Sequence, residues 1–198
     1  MKSQMKNVIS HQDISVIAGH SYKKCTFEEL NIEVLVMGNV IAFRGTDEPL
    51  DALRDLRIIP LWTRELGWCP AGFLKAAKRL MPKCLSIMME RDLEPQDVVL
   101  TGHSLGGAVA LLVGALMVRD EVRVREIVTF GAPRCGRLKI LDGTQVTMYR
   151  HGKDIVPLMP PLMPRHCRML QYGDKRSLVT DHFMDNYVRM QKCQKMVI

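Results

Sequence analysis

Val98-Val99-Leu100-Thr101-Gly102-His103-Ser104-Leu105-Gly106-Gly107-Ala108 is the stretch from which the fold is read. Residues 97–101 form a short apolar run of buried-strand type. The next residues match the pattern G-x-S-x-G, and an apolar helical run then continues to about Val118. A serine between a strand and a helix must sit on a tight, strained turn. Glycines two positions before and after it let neighbouring backbone approach without a Cβ clash. The hydroxyl then stands above the sheet edge. The first turn of the helix presents free N–H groups and the positive end of the helix dipole, where negative charge can develop.

Outward from this stretch, residues 126–130 and 145–149 read as further buried strands, the first ending in Gly131-Ala132-Pro133. Residues 32–37 and 40–43 are β-rich runs around Gly38-Asn39, a hairpin signal. Between hairpin and elbow, Phe73, Ala77, Leu80, Met81, Cys84, Leu85 and Met88 recur at helical spacing, with Pro82 expected to kink or split the helix. Strands alternating with helices predict an α/β fold, a mostly parallel central sheet flanked by helices. Right-handed crossovers then place the loops that follow the strands along one edge, the carboxyl edge, where ligands bind in such folds.

Composition narrows the function classes. The chain has 198 residues, 47% hydrophobic and 25% charged, with net charge +7, as expected of a globular chain forming one domain. The longest nearly apolar window, residues 105–118, is shorter than the roughly 20 residues of a membrane span. The N-terminal Met-Lys-Ser-Gln-Met-Lys carries charge but no apolar run behind it, so no secretion signal and a cytoplasmic location are expected. Six scattered cysteines without a C-x-x-C pair predict free thiols rather than a zinc ribbon or a disulfide framework. The basic residues are dispersed, which argues against nucleic acid as a partner.

A serine nucleophile needs a base, and the base needs an orienting carboxylate. Asp154 follows the strand at 145–149, at its carboxyl end, whereas Asp142 precedes that strand. With the order serine, acid, histidine, His151 comes too early, and His166 or His182 remains. The loop-to-helix position of His182, near the end of the chain, favours it.

The chain resembles the class-three lipases, the fungal-type triacylglycerol lipase family of α/β-hydrolases. The resemblance is carried by Ile41-Ala42-Phe43-Arg44-Gly45-Thr46, Asp51-Ala52-Leu53-Arg54-Asp55-Leu56, Gly72-Phe73-Leu74, the elbow itself, Val128-Thr129-Phe130-Gly131-Ala132-Pro133, Asp154-Ile155-Val156-Pro157, and His182 with Tyr187. It implies Ser104 as nucleophile, Asp154 as acid and His182 as base. It further implies an oxyanion hole of Thr46 and the N–H of Leu105, and a lid within residues 46–68. The chain departs from the family in reading Cys69-Pro70-Ala71 where a histidine is frequent, and in Pro82.

The expected activity is hydrolysis of lipid carboxylic esters, as a triacylglycerol lipase or carboxylesterase, through an acyl-enzyme and without metal or organic cofactor. Phospholipase A-type or thioester hydrolysis would use the same residues. A non-catalytic membrane-surface binding protein on a hydrolase scaffold is the reading from another class. In residues 46–68, large apolar residues alternate with Arg54, Arg57 and Arg64. Such a segment suits an anionic membrane or lipid-droplet surface, or else forms a fixed pocket wall.

Overall fold

The computed structural model describes residues 9–30, 32–45, 59–173, 177–178 and 180–189, and the backbone of 196–197. Its elements in chain order are α1 (His11–His20), β1 (Phe27–Glu29), β2 (Ile32–Met37), β3 (Val40–Phe43), β4 (Pro60–Thr63), β5 (Gly67–Pro70), α2 (Ala71–Glu90), β6 (Val99–His103), α3 (Leu105–Arg119), β7 (Glu126–Phe130), β8 (Gln145–His151), β9 (Met169–Tyr172), α4 (Met184–Val188) and β10 (Met196–Val197). One sheet runs β1-β2-β3-β6-β7-β8-β9-β10, and β4 and β5 form a separate hairpin.

From β3 through β9 all neighbours are parallel, with antiparallel pairs only at the two flanks. This is the mostly parallel α/β sheet expected from the alternation of elements, in the α/β-hydrolase arrangement that the family resemblance implied. The register of β2 on β3 pairs Met37 with Val40, leaving Gly38-Asn39 as the two-residue turn. Every residue of β6 and β7 is buried, because a parallel sheet is covered on both faces.

Side-chain alternation divides the interior in two. Ile41, Phe43 and Leu100 point to the face covered by α2 and α3, where Phe73, Leu80, Leu111 and Leu112 fill the core. Val40, Ala42 and Val99 point to the other face, where Ile14, Ile17 and Ala18 of α1 pack with Phe130, Tyr149, Tyr172 and Tyr187. Helix α3 is buried from Leu105 to Met117, on all sides, because α2 covers the surface that the sheet does not.

Several elements differ from the sequence expectation, among them β1, β4, β5, β9 and β10, to which no sequence pattern pointed. Residues 71–90 form one helix that runs through Pro82, so of the expected kink or split the split does not occur. Pro82 and Lys78 both lie on the exposed face, so the carbonyl that loses its partner can bond to water. Strand β6 starts at Val99, because Pro95–Asp97 form a 3-10 turn before it. Helix α1 was not read at all. Its apolar stripe is short, and its start is set by a capping box in which Ser10 and Asp13 bond reciprocally.

Among the described residues, no helix is long and apolar enough to cross a membrane. Cys25, Cys69, Cys84, Cys135 and Cys167 are free thiols; burial pushes those of Cys84 and Cys135 up to about 12.

Core and surface should respond differently to the same truncation. Leu111 is fully buried, while Leu162 is 97% exposed. Leu111→Ala is expected to lower unfolding free energy by about 2–5 kcal/mol in urea titrations. Leu162→Ala should stay within about 0.5 kcal/mol of the parent.

Candidate active site

Ser104 stands between β6 and α3 with φ 53° and ψ −128°, a positive φ that a non-glycine residue adopts only under constraint. The constraints are visible. Its N–H donates to the carbonyl of Phe130 at 2.9 Å, and its own carbonyl accepts from the N–H of Gly107 at 3.0 Å. A Cβ on Gly102 would collide with the backbone of Gly106, and one on Gly106 with the carbonyl oxygen of Phe43. The turn therefore closes only with glycine at both positions. Leu105 opens α3, so its N–H is among the first-turn donors that have no intrahelical acceptor.

The structure brings Ser104, His182 and Asp154 into one hydrogen-bonded line. His182 Nε2 is 2.9 Å from Ser104 Oγ, and His182 Nδ1 is 2.7 Å from Asp154 Oδ2. Facing a carboxylate, Nδ1 carries the proton and donates it, which leaves the Nε2 lone pair for the serine O–H. All three side chains are buried, Asp154 completely. The carboxylate is not left unpaired. Its Oδ1 accepts from the Val156 N–H at 2.9 Å, and Oδ2 also accepts from the Tyr187 hydroxyl. Burial, and then Asp154, push the Tyr187 phenol well above its ordinary range, so it stays a donor.

His166 lies elsewhere. Its Nδ1 is 3.2 Å from the guanidinium of Arg137, which also pairs with Asp142 at 2.6 Å. Burial, and then Arg137, hold its pKa below the usual histidine range. His151 is turned toward Tyr172, Tyr187 and Asp181. Thr46 lies outside the described residues. Gly45 before it passes close enough to the Ser104 turn that a Cβ there would stand 3.0 Å from Ser104 Cβ. Of the lid-like segment 46–68, residues 46–58 likewise lie outside; the remainder enters the β4–β5 hairpin.

Sequence reasoning missed the partners of the line. Tyr187 was matched without a role, and the Val156 N–H carries no side-chain signal. His103, the variable residue before the serine, has Nδ1 2.7 Å from the Tyr22 hydroxyl and Nε2 2.7 Å from the carbonyl of His182. Nothing in the sequence joins Tyr22 to a residue 81 positions away.

An apolar groove of about 550 Å³ is lined by Pro60, Trp68 and residues 160–164. Arg134 holds that loop from below, donating to the carbonyls of Pro161 at 2.8 Å and Met163 at 3.3 Å. Ile59, Leu61, Trp62, Trp68, Leu162, Leu178 and Phe183 are all exposed. Among the described residues, no three His, Cys, Asp or Glu side chains converge as a metal-ligand set.

Residues 40–163 match the family model of lipase (class 3). The chain belongs to the class 3 lipases. It is 35% identical over 134 residues to the lipase of Rhizopus oryzae, an alignment covering 61% of this chain and 34% of that protein. The secreted mono- and diacylglycerol lipase 1 of Fusarium solani is 43% identical over 70 residues, covering 33% of this chain and 21% of the relative. The chain thus spans about a third or less of the length of these curated relatives. In three dimensions it is similar to lipase II from Rhizopus niveus, with a TM-score of 0.66 at 23% identity, covering 85% of this chain and 80% of that one. At that identity the likeness shows the shared fold.

The comparisons overturn the expected cytoplasmic location. The relative from Fusarium solani is a secreted enzyme by its own name, and nothing among the relatives supports a cytoplasmic site. The expectation rested on the lack of an apolar run after the first residues of the chain, which is silent about how a class 3 lipase reaches its place of action.

The close approach at residue 106 yields a direct test. Gly106→Ala forces a methyl group into the Phe43 carbonyl. Unfolding free energy should drop by about 1–3 kcal/mol, with slower fluorophosphonate labelling of the protein that remains folded. Unchanged stability and labelling would mean that the turn does not depend on this contact.

Proposed function

We propose that the chain forms a single α/β-hydrolase domain that cleaves carboxylic esters of lipids, as a lipase or carboxylesterase, through an acyl-enzyme on Ser104. The observation that carries this reading is the buried line from Ser104 Oγ through His182 to Asp154, set at the first turn of α3.

In this mechanism His182 Nε2 takes the serine proton as Oγ attacks the ester carbonyl. The tetrahedral oxygen accepts hydrogen bonds from the N–H of Leu105 and from Thr46. Each such donor contributes roughly 2.7–4 kcal/mol to the transition state. The imidazolium then hands its proton to the leaving alcohol. Water, deprotonated by the same nitrogen, releases the fatty acid. Asp154 keeps the proton on Nδ1 and stabilises the imidazolium. The residues themselves supply nucleophile, base and oxyanion donors, so the reaction needs no metal or organic cofactor. Phospholipid and thioester acyl groups fit the same machinery, and parallel assays on triacylglycerol, phospholipid and thioester substrates separate the three.

Ser104→Ala and His182→Ala are each expected to lower kcat by about 10⁴–10⁶, and Asp154→Asn by about 10⁴, with folding intact. His166→Ala should leave p-nitrophenyl butyrate turnover near that of the parent. Near-parental turnover in His182→Ala, or a folded chain that no fluorophosphonate labels, would overturn the reading in favour of a non-catalytic scaffold.

The partner we propose is a lipid surface, an anionic membrane or a lipid droplet. Leu61, Trp62 and Trp68 of the hairpin, with Leu162 of the groove wall, expose apolar area that a lipid phase would bury. Arg54, Arg57 and Arg64 would add attraction to anionic headgroups, each worth up to about 1 kcal/mol. Vesicle co-sedimentation should show binding that falls as salt rises, accompanied by a blue shift of tryptophan emission. Trp62→Gln with Trp68→Gln should weaken binding at both low and high salt. Equal sedimentation of parent and double variant would remove the hairpin from the contact.

A further inference from the structure

The N-terminal helix reaches the proposed base through a polar chain that the reaction itself does not require. Tyr22 follows α1, and its hydroxyl is 2.7 Å from His103 Nδ1. His103 Nε2 is 2.7 Å from the backbone carbonyl of His182. The chemistry of the two ends orders the protons. A carbonyl can only accept, so Nε2 must carry the hydrogen, and Nδ1 of the neutral ring must then accept the O–H of Tyr22. The two imidazoles lie 4.6 Å apart between centroids and are tilted by 32°.

Tyr22 is itself held on its other sides. The guanidinium of Arg44 lies over its ring at 5.2 Å, and Arg44 pairs with Glu33 at 2.8 Å. The Tyr22 hydroxyl also stands 2.8 Å from where a Cβ of Gly45 would be, with the carbonyl of His103 at 2.6 Å from the same point. One hydroxyl thus borders both the nucleophile strand and the backbone that leads into residue 46.

From this geometry we infer that Tyr22 and His103 are positioning residues: the chain Tyr22–His103 fixes the backbone of His182, and so the direction of its imidazole toward Ser104. The inference rests on the reading of His182 as base. Charge gives it a second ground. His182 must become an imidazolium during acyl transfer, and a cation stacked on it would oppose that charge. Burial, and then the neighbouring His182, hold the pKa of His103 well below the usual histidine range. His103 thus serves as a neutral donor to the histidine that takes up the proton. A lysine or arginine there would repel the imidazolium, and an aliphatic residue would leave the His182 carbonyl without its donor.

The test uses the full chain with p-nitrophenyl butyrate. Tyr22→Phe keeps the ring beneath Arg44 and removes only the hydroxyl. It should lower kcat about ten-fold with KM unchanged and with the unfolding midpoint shifted only slightly. A small misplacement of a reacting group costs up to about a hundred-fold, so His103→Leu should lose about that factor. His103→Gln, whose amide can still donate to the His182 carbonyl, should recover most of it. ¹⁵N spectra of the imidazoles give a readout that a merely structural role would not move. His103 should be a neutral Nε2–H tautomer in the parent and lose that strict preference in Tyr22→Phe. Folded Tyr22→Phe and His103→Leu proteins with kcat within about two-fold of the parent would overturn the inference, as would a proton found on His103 Nδ1. If His103→Leu does not fold, Tyr22→Phe and the spectra decide alone. Failure of the base assignment is distinct: it would appear as an active His182→Ala enzyme.

Discussion

The backbone of Gly106 lies against the carbonyl of Phe43, and much of the structure follows from that contact. Phe43 ends β3, and Gly106 is in the first turn of α3, so the approach clamps the end of one strand to the helix that follows its neighbour. Only a tight turn at residues 102–106 permits it, and such a turn forces Ser104 to φ 53°. A non-glycine residue held there costs about 1–3 kcal/mol. Burial of α3 on all sides and the bond from the Ser104 N–H to Phe130 offset that strain. The serine hydroxyl is left at the carboxyl edge, next to the N–H of Leu105, a first-turn donor without an intrahelical acceptor.

A second constraint is the buried carboxylate of Asp154. An ionised group without exposure persists only where donors surround it. They come from separate parts of the chain: the Val156 N–H from its own loop, the imidazole of His182, and the hydroxyl of Tyr187 from α4. Tyr187 also accepts from the backbone N–H of His151 at 3.1 Å, so the carboxylate, the end of β8 and α4 form one polar unit. On the far side of His182, His103 and Tyr22 tie the same histidine to α1. The histidine is therefore bonded on both nitrogens and at its backbone carbonyl. Its orientation is a property of the assembled domain rather than of the short segment that carries it.

This division explains what could be read from the sequence. Strand β7 and the β2–β3 hairpin follow from local patterns, an apolar run bounded by turn residues, and their bounds agree with the expectation. The serine turn was legible because its glycines are close in sequence to the residue they serve. The continuity of α2 through Pro82 was not, because it depends on which face meets water. Helix α1 was missed because Ile14, Ile17 and Ala18 make too short a stripe to stand out from its polar neighbours. Tyr22, bonded to a residue 81 positions away, leaves no pattern at all. Between His182 and His166, the sequence favoured His182 only by its loop-to-helix position. The structure separates them by neighbours: one faces Ser104 and Asp154, the other Arg137.

The distribution of exposed apolar side chains completes the case for a lipid ester as the proposed substrate. Ser104, His182 and Asp154 are almost entirely withdrawn from water, whereas Trp62 and Trp68 are 57% and 53% exposed and Leu162 is 97% exposed. Burying three polar side chains while exposing two tryptophans runs against the usual partition. In water this arrangement costs free energy. Against the lipid surface proposed above, the hairpin and groove wall would be buried, and the ester would come from a phase that holds little water. Dry surroundings strengthen every hydrogen bond made to the developing oxyanion. On the reading proposed above, the exposed hairpin and groove wall would meet the lipid phase while the buried line would carry out the acyl transfer.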